Sequence, residues 1–402
     1  MRILVITQYF WPENFRVNDL CLELKNRGHE VSILTGKPNY PNGIFFNGYS
    51  LFSRRTDYWN DLKIYRVPLL PRGNGSGVNL FFNYLSFTFF SCLRILFIKD
   101  KFDKIIVYQL SPGTIGFPAL VAKTKFKAKL FFYIQDLWPE SLSDAGGINS
   151  SLILQLVDQM MNFFYKESHH ILVQSNSFIP FLIEKGVDQN KIKYLPNTVE
   201  EFYHPVQVLD EYLNKLPIGF NIIFAGNIGF AQDFDTILKT ANILRGKNVM
   251  INWIIIGDGR ARIQLQQQIK ELSLSNFYFL GSYKSTIMPY FFACADLLLV
   301  SLKKSQIFSL TIPSKIQSYL ACKKPLIGNL DGAGSLIIKE SNCGKCSESG
   351  DFTNLANNIE FMYNISKKER DNYGINGYNY YLKHFHRNVV YDKLEYYLNL
   401  EY

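Results

Sequence analysis

The feature that most constrains this chain is a pattern that occurs twice: a run of branched apolar residues, a polar loop, an amphipathic helix and a second apolar run. Near the start, Arg2–Thr7 reads as a buried strand and Asn18–Arg27 as a helix with Leu20, Cys21 and Leu24 on one face. Gly28 ends that helix, and Val31–Thr35 is the next strand. A strand–helix–strand unit of about 35 residues is a crossover, so its two strands lie parallel in one sheet. The pattern restarts near residue 218 with strand Phe220–Ala225, helix Phe234–Leu244, strand Ile251–Ile256 and helix Ile263–Leu272. Between the two starts, Leu195 to Pro217 carries proline and polar residues without a clear period, as a linker does. Two doubly wound α/β domains with parallel sheets are therefore expected, over 1–198 and 199–377, with a C-terminal helix 378–402 crossing back onto the first.

Composition narrows the partners. Of 402 residues, 47% are apolar and 19% charged, which describes a globular chain. The formal net charge is +9, of which +6 falls in residues 1–200. A basic surplus suits nucleic acid, an anionic membrane surface or phosphorylated substrates. No compact basic recognition motif is found, so nucleic acid is set aside as a partner. The six cysteines are scattered, and the one close pair, Cys343 and Cys346, lacks a second pair to complete a zinc site. Free thiols in a reducing cytosol, and no metal, are the expectation. The opening apolar run is too short for a signal peptide, which agrees with a cytoplasmic location.

Ligands of parallel sheets sit beyond the carboxyl ends of the strands. After the first strand, the loop from Gln8 holds Glu13, Asn14 and Arg16 among aromatics, a composition that suits sugar stacking and hydroxyl recognition. A packed surface loop is the plain alternative. The loop Gly36–Gly43, with Tyr40, follows the second strand at the same edge, and Asp136 and Glu140 follow the strand Lys129–Ile134. Further strands are read at Lys63–Val67, Lys104–Tyr108, Ile171–Val173 and Lys191–Leu195. In the second domain, the turn Gly226-Asn227-Ile-Gly229 lets backbone N–H groups approach a diphosphate, with Gln232 just beyond. Neither a dinucleotide fingerprint nor a P-loop is present. The strand Ile251–Ile256 runs into Gly257, Asp258 and Arg260. Phe277–Leu280, Leu297–Val300 and Leu326–Gly328 complete at least five strands. Pro313 and Ser314 predict an N-cap at Ser314 for a helix Lys315–Ala321. A helix start bearing Lys315 is a ready phosphate site; an ordinary αβ unit with a snorkelling lysine is the alternative.

The stretch Val78–Ile98 has Arg94 as its only charge and is long enough to span a bilayer. It lies between strands of one sheet, which a spanning helix would tear apart. A helix partly buried and partly lying on the membrane interface is expected, aided by Arg72, Lys99, Lys101 and Lys104. A fully buried core helix is the alternative. The run Lys123, Lys125, Lys127, Lys129 either extends the basic patch or forms a solvated loop.

In this order the chain resembles the retaining GT-B glycosyltransferases of family 4, and within them the bacterial surface-polysaccharide branch of WbuB-type N-acetyl-L-fucosamine transferases. The marks are Gln8-Tyr-Phe-Trp-Pro-Glu-Asn, Arg27-Gly-His-Glu-Val, Asp136-Leu-Trp-Pro-Glu-Ser, Leu195-Pro-Asn, Phe224-Ala-Gly-Asn-Ile-Gly, Ile256-Gly-Asp-Gly and Pro313-Ser-Lys-Ile-Gln-Ser-Tyr-Leu-Ala. The resemblance implies a GT-B fold, with two Rossmann-like domains facing across a cleft. It also implies sugar transfer from a UDP-sugar with retained configuration, without metal or cofactor, to a polyprenyl-diphosphate-linked saccharide. The first domain would take the acceptor, with Asn14, Arg16 and Tyr40, and the second the donor. Asp136 and Glu13 would position the acceptor hydroxyl, and front-face displacement needs no dedicated nucleophile.

The sequence departs from the family at the donor site. The family's G-R-x4-K cations fall on Asn227 and Gln232, and the second Glu of its E-x7-E motif falls on Ser318, beside Gln317. Lys315, Arg260 and the Gly226–Gly229 amides are the expected substitutes for the lost charge, and Gln317 and Ser318 for the ribose contact. Ser314 and Asp258 complete the expected donor set. Two rival readings stay open: an inactive relative serving as a membrane-bound scaffold, and a nucleotide-sugar epimerase. The epimerase would need a glycine-rich loop after the first strand, where Gln8–Glu13 has none. A paired-carboxylate glycosidase would need a separation that a sequence does not show.

Overall fold

The structure is a computed structural model that describes residues 1–144 and 150–400. The chain divides into two compact units: Met1–Leu195 together with the stretch from Tyr391 onward, and Pro196–Val390.

The first unit is built on an eight-stranded sheet. Its strands are β1 (Arg2–Ile6), β2 (Glu30–Gly36), β3 (Thr56–Trp59), β4 (Leu62–Val67), β5 (Lys104–Gln109), β6 (Lys129–Ile134), β7 (His170–Val173) and β8 (Ile192–Tyr194). The order is β3-β4-β2-β1-β5-β6-β7-β8, all parallel except β3, which pairs antiparallel with β4. Ile3–Ile6 lie between β2 and β5 and are fully buried, as a strand covered on both faces must be. The hairpin β3–β4 was not expected from the sequence. It turns through Asn60 and Asp61, both with φ near +50 to +60 (47° and 60°), the backbone a primed two-residue turn requires.

A helix Gly77–Phe97 links β4 to β5, capped at its start by Ser76 Oγ, which accepts from the Asn79 N–H at 3.4 Å. At its far end Lys125 Nζ donates to the carbonyls of Ile95, Leu96 and Ile98 at 2.6–2.8 Å. Burial on this helix is inverted. Asn83, Thr88 and Ser91 face inward beside Phe87 and Ile95, while Phe81 (61%), Phe89, Leu93, Leu96 and Phe97 (74%) are exposed. Two of the three inward polar groups are bonded, Ser91 Oγ having no hydrogen-bond partner among the described residues: Asn83 accepts from Gln8 Nε2 at 2.6 Å and donates to the Leu70 carbonyl at 2.6 Å. Thr88 donates to Thr114 Oγ1 at 2.8 Å. With a mean hydropathy of 1.5 this is, among the described residues, the one helix long and apolar enough to cross a membrane, and both its flanking strands belong to one sheet.

The second unit has six parallel strands, β9 (Phe220–Ala225), β10 (Ile251–Ile256), β11 (Phe277–Gly281), β12 (Leu297–Ser301), β13 (Leu326–Asn329) and β14 (Gly344–Ser347), in the order β11-β10-β9-β12-β13-β14. Alternate side chains serve two cores. Ile223, Ile254 and Leu298 meet Phe291, Ile316 and Tyr319 on one face, and Ile222, Trp253 and Leu297 meet Ile237, Leu244 and Leu355 on the other. The Cys343–Cys346 pair lies in and beside β14 as free thiols.

The return to the first unit starts later than the expected 378. A helix Lys367–His384, opened by a Ser366/Glu369 capping box, stays in the second unit. Its Gly374 backs onto the Lys323 carbonyl and its Gly377 onto Leu320 and Cys343. Only in the next helix, Arg387–Asn399, does the chain change units, at Tyr391. There Asp392 and Glu395 hold Arg27 at 2.6 and 2.7 Å, and Tyr391 donates to Asp19 at 2.9 Å. A Cβ at position 374 would stand 2.5 Å from the Lys323 carbonyl oxygen. Gly374→Val is therefore expected to cost about 1–3 kcal/mol of stability by overpacking, read as a lower urea midpoint of the second unit. An unchanged midpoint would contradict this packing.

Candidate active site

At the carboxyl edge of the second sheet, three loops stack through their backbones. Gly226 N–H donates to the Ile256 carbonyl at 2.8 Å, Gly257 N–H to Gly281 at 2.8 Å, Ile228 N–H to Asp258 at 2.9 Å and Ala261 N–H to Ile228 at 3.0 Å. The stacking depends on glycine at two points. Gly226 and Gly257 both have φ of 138°, and a Cβ on Gly257 would fall 1.9 Å from the Gly226 carbonyl oxygen. A Cβ on Gly226 would meet Lys315 Cε at 2.8 Å, so the lysine stem lies directly over the turn.

Lys315 is the charged centre of this edge. It stands in the first turn of the helix Ser314–Ala321, with Nζ donating to Gln232 Oε1 at 2.6 Å and lying 4.3 Å from the centre of the Phe224 ring. No carboxylate contributes to its surroundings, and burial alone pulls its pKa down to about 7. An ammonium with only an amide oxygen and a ring face for company lacks the counter-charge that an anionic ligand supplies. Gln232, in the place of the family's lysine, thus orients the lysine that the chain does have. This contact spans 83 residues.

Around it, Asp233 in the left-handed region (φ 50°) opens the helix Phe234–Gly246, and its Oδ2 accepts from Asn329 Nδ2 at 3.0 Å. Asn329 also donates to Ser301 Oγ at 3.0 Å and accepts from Gly350 N–H at 3.1 Å. This buried set fixes the turn below Lys315 and was missed in the sequence, where an Asp two residues beyond Ala231 and an Asn ending a strand carry no motif. Tyr319 OH, also missed, accepts from the Ala225 N–H at 3.3 Å.

Other expected donor residues stand differently. Ser314 is the first helical residue and not the N-cap, which is Pro313; no side chain caps this helix. Gln317 is fully buried (0%) and Ser318 nearly so, with Ser318 Oγ donating to the Ser314 carbonyl at 3.3 Å. They lie on the core-facing side with Ile316, Tyr319 and Leu320, because an eight-residue helix has few positions left for solvent. Asn227, Asp258 and Arg260 are exposed at the edge, and Asp258 takes the Gly259 N–H at 2.8 Å and faces Arg262 at 3.5 Å.

At the carboxyl edge of the first sheet, Glu13 is 2% exposed. Its Oε1 accepts from the N–H groups of Asn39 and Tyr40 at 2.8 and 2.7 Å, and its Oε2 from Phe10 at 3.2 Å. Burial lifts its pKa to about 7 against the pull of these three donors. The side chain is a brace between the loops after β1 and β2. What it holds up is an aromatic cluster. Tyr40, 38% exposed, packs on Phe15 and Tyr9 with ring centres 5.2 and 5.7 Å apart. Arg72 lies 4.9 Å over the Tyr40 ring and reaches Tyr9 OH at 3.4 Å. Asn14 is exposed beside this cluster in sequence, and Arg16 opens the helix Arg16–Asn26.

Asp136 stands two residues beyond β6 at the same edge. Burial raises its pKa to about 7, and among the described residues it has no hydrogen-bond or ion partner. Glu140, four residues on, is occupied by Lys185 at 2.5 Å, which leaves Asp136 as the available carboxyl after this strand.

Two parallel α/β units, each with its loops gathered at the carboxyl edge of its sheet, are the architecture of the GT-B fold. Residues 14–198 match the family described as Glycosyl transferase 4-like domain, and residues 214–380 the family Glycosyl transferases group 1. Among individual proteins, the chain is 26% identical over 336 residues to a putative colanic acid biosynthesis glycosyl transferase, WcaI, of Escherichia coli K12, covering 80% of this chain and 81% of that one. Among solved structures, sucrose-phosphate synthase of Thermosynechococcus elongatus superposes with a TM-score of 0.74 at 15% identity, covering 98% of both chains. The Anabaena protein HepE, solved with UDP and glucose, does so with a TM-score of 0.70 at 14% identity over the whole of both chains.

Proposed function

We propose that this protein is a retaining, metal-independent glycosyltransferase that moves a sugar from a UDP-sugar to a polyprenyl-diphosphate-linked saccharide, as in O-antigen or capsule assembly. The observation that carries the reading is Lys315: a desolvated ammonium, free of carboxylates, over a glycine turn at the carboxyl edge of the second sheet. The diphosphate is held there by Lys315 and the amides of the Gly226–Gly229 turn, with Arg260 and Asn227 at the rim. UDP as the nucleotide is supported by the HepE complex, and surface polysaccharide as the product by the WcaI relative. An N-acetylated deoxyhexosamine such as N-acetyl-L-fucosamine as the sugar rests on the motif resemblance.

In the reaction the bond between the anomeric carbon and the diphosphate oxygen breaks as the acceptor oxygen closes on the same face. The departing phosphate oxygen takes the acceptor proton, while Lys315 and the turn amides hold the charge that develops. Asp136, as carboxylate, accepts a hydrogen bond from the acceptor hydroxyl. The aromatic loop at Tyr40, with Asn14 and Arg16, takes the acceptor sugar. The protein works at the cytoplasmic face of the membrane, against which the apolar side of the helix Gly77–Phe97 lies.

Titration with UDP tests the reading. The ligand-free Lys315 loses its proton as pH rises through about 7, and a bound diphosphate raises that pKa. Affinity is therefore expected to be full below pH 7 and to fall by about tenfold per unit above it, until the pKa of the complex is reached. Lys315→Met flattens that profile. Absence of heat with millimolar UDP below pH 7 would sink the enzyme reading in favour of a scaffold that keeps the fold.

A further inference from the structure

Seven cations from three distant stretches converge at the amino-terminal edge of the first sheet, opposite the edge that bears Asp136. They line a cleft of about 630 Å³ together with only two carboxylates. Lys99 and Lys101 precede β5, which Lys104 opens; Lys125 stands in the last turn of the helix Gly116–Phe126, Lys127 follows it and Lys129 opens β6; and Arg2 opens β1. The two carboxylates are already neutralised: Asp103 by Arg2 at 2.7 Å, and Asp100 by Lys63 at 2.6 Å. Lys125 is engaged on the carbonyls that end the helix Gly77–Phe97. Lys99, Lys101 and Lys127 are exposed and make no hydrogen bond or ion pair among the described residues. An unneutralised cluster of this density is sustained only by solvent or by an anionic ligand.

The neighbourhood selects the ligand. Ile98 and Lys99, in the cleft wall, directly follow Leu96 and Phe97, the exposed tip of the inverted helix. The apolar surface continues sideways. Thr88 of that helix touches Thr114, and the neighbouring helix Gly116–Phe126 packs through Phe117 on Phe164 of the helix Ser151–Glu167, with ring centres 5.0 Å apart. Leu152, Ile153, Leu156 and Phe163 of that last helix are exposed as well. These helices follow β4, β5 and β6, whose successive crossovers run to the right along the sheet, so they cover one face of it. An apolar face that ends in a cationic cleft matches the boundary between acyl chains and phosphate headgroups.

We propose that this cleft is a docking site for the headgroups of anionic phospholipids, which fixes how the first unit is turned on the membrane. The inference rests on the membrane part of the proposed function and adds a specific, lipid-selective contact on the edge away from the chemistry. Free phosphate would bind the same cations but would not couple them to the apolar face.

Flotation on two kinds of vesicle tests it with the full chain, one rich in phosphatidylglycerol and one of phosphatidylcholine alone. The triple variant Lys99→Glu, Lys101→Glu, Lys127→Glu is expected to lower partition onto the phosphatidylglycerol vesicles by about 100-fold or more, at roughly 1 kcal/mol per basic residue. Its partition onto phosphatidylcholine, its thermal midpoint and its UDP affinity stay as in wild type. Phe89→Ser with Leu93→Ser weakens binding to both vesicles. Wild-type-like binding of the triple variant to phosphatidylglycerol, or equal loss on both vesicles, overturns the headgroup site while leaving the apolar face standing. Failure of the unaltered protein to bind phosphatidylglycerol vesicles overturns both, and leaves sugar transfer to be judged by UDP binding alone.

Discussion

Alanine in place of Lys315 lowers the transfer rate by about 10²–10³-fold, the loss typical when one preorganised charge stabiliser is taken from a transition state. The effect belongs to the rate more than to the fold. Lys315 has a lowered pKa, so its charged form is disfavoured in the folded protein, and its stability contribution shrinks as pH falls from the unfolded value of about 10.4. Lys315→Met, which keeps the stem over Gly226, is therefore expected to be at least as stable as wild type at pH 7 while as inactive as the alanine variant. Single-turnover rates with a competent donor, set beside thermal midpoints, separate the two. A Lys315→Met enzyme with wild-type turnover would remove the lysine from the mechanism. Gln232→Ala is the milder companion, since it releases Nζ without removing the charge.

Asp136→Asn carries the second large effect, about 10²-fold on acceptor-dependent turnover, as for a group that positions the attacking hydroxyl while the phosphate takes its proton. UDP affinity is unchanged. The pH profile gives the sign. Asp136 has a raised pKa near 7, so its carboxylate forms only as pH rises through that value, and the acidic limb of the rate profile belongs to it. The alkaline limb belongs to Lys315, displaced upward by bound diphosphate. A raised carboxyl also destabilises the folded state above its unfolded pKa, so the Asn variant is expected to unfold at a higher temperature at pH 8. A variant that is more stable and less active marks a residue kept for chemistry. If Asp136→Asn leaves acceptor-dependent turnover intact, the assignment fails.

The sequence made the scaffold legible and the site only in part. Strands such as Arg2–Ile6 and Ile251–Ile256 are unbroken branched runs, and a parallel sheet covered on both faces demands such runs. The hairpin Thr56–Trp59 escaped because four residues with a half-exposed pattern look like loop, although Asn60-Asp61 between Trp59 and Leu62 is a recognisable turn signal. β14 escaped because Gly-Lys-Cys-Ser has no apolar run to read. Lys315 was found from its place at a helix start, but its contact with Gln232 is a tertiary fact. The contacts of Glu13 are tertiary facts as well. A carboxylate in an aromatic loop reads as chemistry, and only the three amides bonded to it reveal that its charge is spent on holding two loops together. The burial of Gln317 and Ser318 was equally hidden, since alignment to a motif does not say which way an eight-residue helix is turned.

The helix Arg387–Asn399 changes allegiance at Tyr391, and its residues Tyr391, Asp392 and Glu395 supply the partners of Asp19, Arg27 and His29 in the first unit. During synthesis, then, the first unit waits. Its sheet can assemble as soon as β8 has emerged, but the helix Arg16–Asn26 keeps an open flank until nearly four hundred residues have been made. A product clipped before Tyr391 therefore keeps the strands of its first sheet but leaves Arg27, His29 and Asp19 without these partners.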